Sequence, residues 1–179
     1  MQEPTRKFLS FLRTNPSIRS EIKAPFGKTL LYAGSGKWQQ IKWIKDFDPQ
    51  RIEWLSDFDT AVREKKILPE ILVDVKTPGQ PFPNLLAWAE DLDKLIPKKE
   101  NGWFAWRSLS GLFAANAKGP VSFLVGSGIS KAEKVFAATE VAVLARNPNV
   151  DPITKDALAY YQRCIQTKTA DINFGFIHG

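Results

Sequence analysis

Between Gly102 and Ala115 the chain reads Gly-Trp-Phe-Ala-Trp-Arg-Ser-Leu-Ser-Gly-Leu-Phe-Ala-Ala, a stretch whose residue types suit phosphate chemistry. The aromatic run Trp103 to Trp106 predicts a strand, because bulky rings fill a pleated surface. The small and polar residues that follow predict a turn into a helix starting at Ser108 or Ser110 and carrying Leu112, Phe113 and Ala115. A helix start leaves backbone N–H groups without partners, and Arg107 would set a permanent positive charge beside them. The segment is therefore a candidate phosphate cradle.

Three other motifs compete with blander readings. Gly34-Ser35-Gly36-Lys37 suggests a phosphate loop, but the outer glycine and the final hydroxyl that such a loop needs are replaced by Leu31 and Trp38. A tight turn is the better reading. Asp74-Val75-Lys76 follows Asp57 and Asp59, a residue set with which metal-dependent nucleases hold a divalent ion and stabilise the scissile phosphate. Asp57 and Asp59 fall in a helical pattern, however, where those nucleases place the first carboxylate on a neighbouring strand. A solvated strand face competes with the metal site. Gly126-Ser127-Gly128 leads into a helix and would bind an anion through its N–H groups, or would serve only as a strand–helix connection.

The elements that must position these groups follow from periodicity and capping. Phe8, Leu9, Phe11 and Leu12 predict a helix over Glu3 to Arg13, stopped by Asn15-Pro16. Lys28 to Ala33 predicts a strand, and Ile41 and Trp43 a second extended piece. Asp48-Pro49 opens a helix carrying Ile52, Leu55, Asp59 and Val62. Ile71, Val73 and Val75 alternate as a strand, and Asn84 precedes a helix carrying Leu85, Trp88, Leu92 and Leu95. Val121 to Val125 is a further strand. Ser130 and Glu133 form a capping box before Val135, Phe136 and Val143, in a helix that ends at Asn147-Pro148. Asp151-Pro152 begins the last helix, and Ile172, Phe174 and Phe176 alternate as an edge strand.

The 179 residues carry six Trp and twelve Phe, enough for a real core and too many for a disordered chain. A net charge of +6 favours anionic partners: nucleotides, nucleic acid, or acidic protein and lipid surfaces. One cysteine, Cys164, excludes an internal disulfide framework or a cysteine-rich zinc site, and one histidine, His178, argues against a histidine triad. No apolar run approaches the ~20 residues that span a bilayer. Without a secretory leader at Met1-Gln2-Glu3-Pro4, a reducing cytoplasm is the expected location. The expected fold is a single mixed α/β domain.

Three pieces, in order, resemble the ParB/sulfiredoxin superfamily. Asp48-Pro49-Gln50-Arg51-Ile52-Glu53-Trp54-Leu55 is similar to the sulfiredoxin helix Asp-Pro-x-Lys-Val-x-x-Leu. Leu68-Pro69-Glu70-Ile71-Leu72-Val73 resembles the strand entry after it, and Trp103 to Ala115 the aromatic strand and turn–helix. Val121 to Val125 fits the family's next strand. The resemblance implies a small mixed sheet with a core over about residues 28–125, an N-terminal helix, a C-terminal helical extension, and an inserted helix between Gln80 and Lys99.

Ser110, Gly111 and Leu112 stand where the family has its redox cysteine, its histidine and its phosphate-gripping arginine. The lack of a thiolate at that turn argues against sulfiredoxin chemistry. Arg51 keeps the basic position that meets nucleotide phosphate in the family, and Arg107 is placed to replace the lost charge. Within the superfamily the chain is similar to plasmid-encoded fertility inhibition proteins, which implies ATP hydrolysis and metal-dependent cleavage of DNA transferred by type IV secretion. On that reading Arg107, Ser108 and Ser110 are catalytic, Arg51, Arg107, Ser110 and Gly111 bind phosphate, and Asp57, Asp59 or Asp74 hold magnesium. Expected partners are ATP, plasmid or T-DNA, and coupling or substrate proteins at the inner face of the secretion apparatus. A catalytically inactive module that binds nucleotide, DNA or protein is the alternative.

Overall fold

The computed structural model describes residues 1–33, 68–69, 85–96, 103–125, 136–167 and 174–176. Its centre is strand pairing between β1 (Thr29–Ala33) and β3 (Val121–Val125), parallel from Thr29↔Val121 to Ala33↔Val125. Every residue of β3 is buried, as an apolar run covered on both faces requires. The short β2 (Leu68–Pro69) extends β1 in parallel, and β4 (Phe174–Phe176) closes the other edge antiparallel to β3, giving the order β2-β1-β3-β4. Pro69 is tolerated at the outer edge because it has no ladder N–H to lose there. The architecture is thus a small mixed sheet with surrounding helices. The strand expected over residues 71–75, the helix opening at Asp48-Pro49, the extended piece at Ile41 and Trp43, and the Ser130–Glu133 capping box lie outside the described residues.

Helix α1 (Glu3–Thr14) turns Phe8 and Leu12 into the core one helical turn apart. The Asn15 side chain caps its end by donating to the Phe11 carbonyl (2.8 Å), and Pro16 then opens the short α2 (Pro16–Glu21). Asn15-Pro16 therefore breaks the helix and restarts it. Helix α3 (Leu85–Leu95) meets α1 through Trp88, edge-on to Phe8 at 5.0 Å and tilted against Phe11 at 5.7 Å. Contacts of this kind contribute about 0.5–1.5 kcal/mol beyond burial.

Helix α4 (Trp103–Ala115) lies against α1 and α3. Its first turn occupies the segment expected as the strand Trp103 to Trp106, and Ser108–Ser110 is mid-helix, with no strand–turn–helix of the kind the family resemblance implies. Packing explains the difference. Ala105, Leu109 and Phe113 are buried four residues apart, joined by Ser110 and Ala114, a stripe that only a helix brings to one side. Aromatic β-propensity is weaker than that burial.

After β3, a π-helical turn (Phe136–Glu140) runs into α5 (Val141–Arg146), and Asn147 follows. The buried Asn147 amide donates to the carbonyls of Ala114 (3.0 Å), Ala115 (3.1 Å) and Ala117 (2.9 Å), capping α4 from another part of the chain. Its carbonyl accepts the Asn149 N–H at 2.9 Å. At Gly119 a positive φ of 74° is needed, and a Cβ there would stand 2.5 Å from the Phe26 ring. Helix α6 (Pro152–Gln166) begins with Asp151 accepting the Thr154 N–H (2.8 Å), while Thr154 Oγ1 accepts from the first residue of β3, Val121 (3.1 Å). An aromatic chain, Phe176–Phe123–Phe136–Tyr161, links the sheet edge to this helix with centroids 5.3–5.7 Å apart. Among the described residues, no helix is long and apolar enough to cross a membrane.

Replacing Asn147 by Ala takes a donor from three carbonyl groups, of which only that of Ala114 keeps another, the Ala117 N–H (3.3 Å), and should cost about 1–3 kcal/mol in urea unfolding. Burial pushes the Tyr161 phenol up from 10.0 to about 12. The folded chain thus keeps a proton that the unfolded chain releases near pH 10, so this contribution is complete below pH 10 and is lost as pH rises towards 12. The urea midpoint should fall over that window, and Tyr161→Phe should make the fall shallower.

Candidate phosphate-binding groove

Because α4 is continuous, its first four N–H groups belong to Trp103–Trp106 and those of Ser108, Ser110 and Gly111 point along the helix interior. The backbone cradle expected at these residues is therefore not formed. Ser110 is only 4% exposed and lies on the core side. What α4 does present on its other side is Arg107, Ser108, Gly111 and Leu112, positions that share a helical face.

This face borders a groove of about 330 Å³. Helix α1 supplies Leu9, Leu12 and Arg13 to the facing wall, again at helical spacing, α2 supplies Arg19, and Val143 of α5 completes it. The α1–α2 hairpin is held in place by α4. Asn116, just past the end of α4, donates to the carbonyls of Arg19 (2.7 Å) and Ile22 (3.0 Å), fixing α2 where the Arg19 side chain lines the groove. Arg107 is oriented from the opposite side. Its Nε donates to Thr139 Oγ1 at 3.0 Å, leaving the outer guanidinium nitrogens for other acceptors. Gly111 makes room for that partner, since a Cβ there would lie 3.3 Å from Thr139 Cγ2.

Among the described residues, Arg13, Arg19 and Arg107 have no carboxylate partner, and the buried Arg19 Nε has no hydrogen-bond partner. Three guanidinium groups around one concavity repel each other, and a buried donor without an acceptor is unfavourable. The repulsion is relieved by an anion.

Of the residues singled out in the sequence, Arg107, Ser108 and Gly111 come together here, and Ser110 does not join them. Arg51, Asp57, Asp59 and Asp74 lie outside the described residues, as do both Gly-Ser-Gly turns. Among the described residues, no group of three or more His, Cys, Asp or Glu side chains is placed to hold a metal. Arg13 and Arg19 were not legible as site residues. The available signal was modest: Arg13 ends the helical stripe begun by Leu9 and Leu12, and Arg19 stands in a short helix with no acidic residue one turn before it. Comparison of the chain with family models, curated proteins and solved structures finds no match.

The Arg107–Thr139 bond can be isolated by a double-mutant cycle of Arg107→Ala and Thr139→Val. A coupling of about 0.5–1.5 kcal/mol is expected in urea unfolding, and additive effects would show that Thr139 does not orient Arg107.

Proposed function

We propose that the chain handles phosphate esters, and that its activity is that of a fertility inhibitor resembling the plasmid protein Osa: hydrolysis of ATP and metal-dependent cleavage of DNA transferred by type IV secretion. The observation that supports this reading is the convergence of Arg13, Arg19 and Arg107, without carboxylate partners among the described residues, beside the Ser108 hydroxyl. A planar guanidinium donates two parallel hydrogen bonds to one phosphate and keeps its charge at every physiological pH. In ATP turnover Arg107 would neutralise charge developing on the transferred phosphoryl group, with Ser108 contributing a hydrogen bond. The magnesium proposed at Asp57, Asp59 or Asp74 would supply Lewis-acid polarisation of the phosphate.

The second reading is binding of a phosphate-bearing ligand without turnover. The continuity of α4 favours it, because the N–H groups that a strand–turn–helix would aim at a transition-state oxygen are internal to the helix, and Ser110 is buried.

ATP hydrolysis and plasmid cleavage with magnesium, abolished by EDTA, separate the two readings. If the first holds, Arg107→Ala should lose about 3–4 kcal/mol of transition-state stabilisation, roughly a hundred- to thousandfold in rate, in a protein that still melts cooperatively. Wild-type turnover by the folded variant would remove Arg107 from the site.

A further inference from the structure

The geometry points to a small phosphate-terminated molecule, with an apolar body attached, as the occupant of the groove between α1, α2 and α4. This rests on the reading of the groove as a phosphate site and goes on to define the ligand class and the residues that select it.

Charge defines one end of the ligand. Arg19 is the central group, because among the described residues its terminal guanidinium nitrogens are neither closed off nor hydrogen-bonded, so a phosphate oxygen in the groove can take both, while Nε is packed away from it. Arg107 is held by Thr139 through Nε and turns its two remaining nitrogens outward. Arg13 is exposed at the rim, where it adds charge without needing desolvation. Three such groups match a phosphomonoester dianion better than a singly charged carboxylate.

Shape and polarity define the other end. The wall beside these cations is apolar, built from Leu9, Leu12, Leu112 and Val143, and a free inorganic ion would leave that wall uncovered. The volume of about 330 Å³ falls at the low end of small-molecule sites, which run from about 300 to 1,000 Å³. Ser108 stands beside the cations and can bond either a phosphate oxygen or a hydroxyl of the ligand.

The test is equilibrium binding to the full chain by calorimetry. The probes are adenosine monophosphate, glucose 6-phosphate, inorganic phosphate, adenosine, and a short single-stranded oligonucleotide with unphosphorylated ends. At least one phosphomonoester should bind more tightly than inorganic phosphate, and adenosine should not bind. Adenosine monophosphate, whose flat base can cover the apolar wall, should bind more tightly than glucose 6-phosphate, whose body is polar. Arg19→Gln should weaken phosphomonoester binding by about tenfold or more, and Arg19→Lys, which keeps the charge but loses the paired terminal nitrogens, should not fully restore it. Arg13→Gln, at an exposed position, should weaken it severalfold and serves if Arg19 variants fail to fold. Lys7→Gln, on the exposed side of α1, should change nothing.

Unaltered binding in folded Arg13 and Arg19 variants would overturn the inference. So would inorganic phosphate binding as tightly as both esters, or an oligonucleotide that binds more tightly and displaces them. Turnover separates this outcome from the proposed activity. Arginine-dependent ester binding without ATP or DNA hydrolysis would end the enzymatic reading and leave this one standing. Hydrolysis unaffected by Arg13→Gln and Arg19→Gln would do the reverse.

Discussion

One amide side chain holds the end of the helix on which the other parts converge. Asn147 reaches three carbonyl oxygens at and just beyond the C-terminus of α4 from a position thirty or more residues further along the chain. The last turn of a helix has carbonyls with no partner inside it, and here no basic side chain stands in that turn to help. Asn147 supplies the missing donors and at the same time fixes α5 to α4. Because the chain between them contains β3, the same contact ties the helix layer to the central strand. Helix α4 then carries the rest: its buried stripe packs on the core, Asn116 beyond its end clamps α2, and its outer face lines the groove.

The groove shows what this arrangement costs. Packing α1 and α2 on α4 brings three positive charges to one concavity with no carboxylate partner among the described residues. Repulsion between exposed guanidinium groups is softened by water and salt, but the buried Arg19 Nε gains little from either. A fold optimised for stability alone would place an acidic residue or an apolar one there. The π-helical turn adds to the picture. Thr139 sits in this turn and orients Arg107, and Gly111 is the small residue that lets the turn approach α4. Turns of this kind interrupt the regular ladder of a helix and are common at functional positions.

Much of the element order was legible from local chemistry. The helix beginning at Glu3, the strand ending at Ala33, the helix over Leu85 to Leu95, the strand Val121–Val125, the stop at Asn147-Pro148 and the edge strand at Phe174 and Phe176 all occur as the patterns predict. Each of these carries a strong signal of its own: a Pro or Asn boundary, an apolar run of strand length, or a regular stripe. The failure is as informative. Trp103 to Trp106 has the composition of a strand, yet it begins a helix, because Ala105, Leu109 and Phe113 fit one side of a helix against α1 and α3.

The sequence by itself therefore determined where several of the described elements begin and end, that aromatic residues would build the core, and that the chain carries a net positive charge, since caps, periodicity and composition act over a few residues or over the whole chain. Tertiary structure alone decided which side of Trp103–Ala115 is buried, and with it that Ser110 belongs to the core while Arg107 and Ser108 face a groove. It also decided that Arg13 and Arg19, far from Arg107 in sequence, complete that groove. The physical reason is that a cluster of like charges has no local signature: it exists only when long-range contacts, such as Asn116 to the Arg19 carbonyl and Asn147 to the end of α4, overcome the repulsion and hold distant segments side by side.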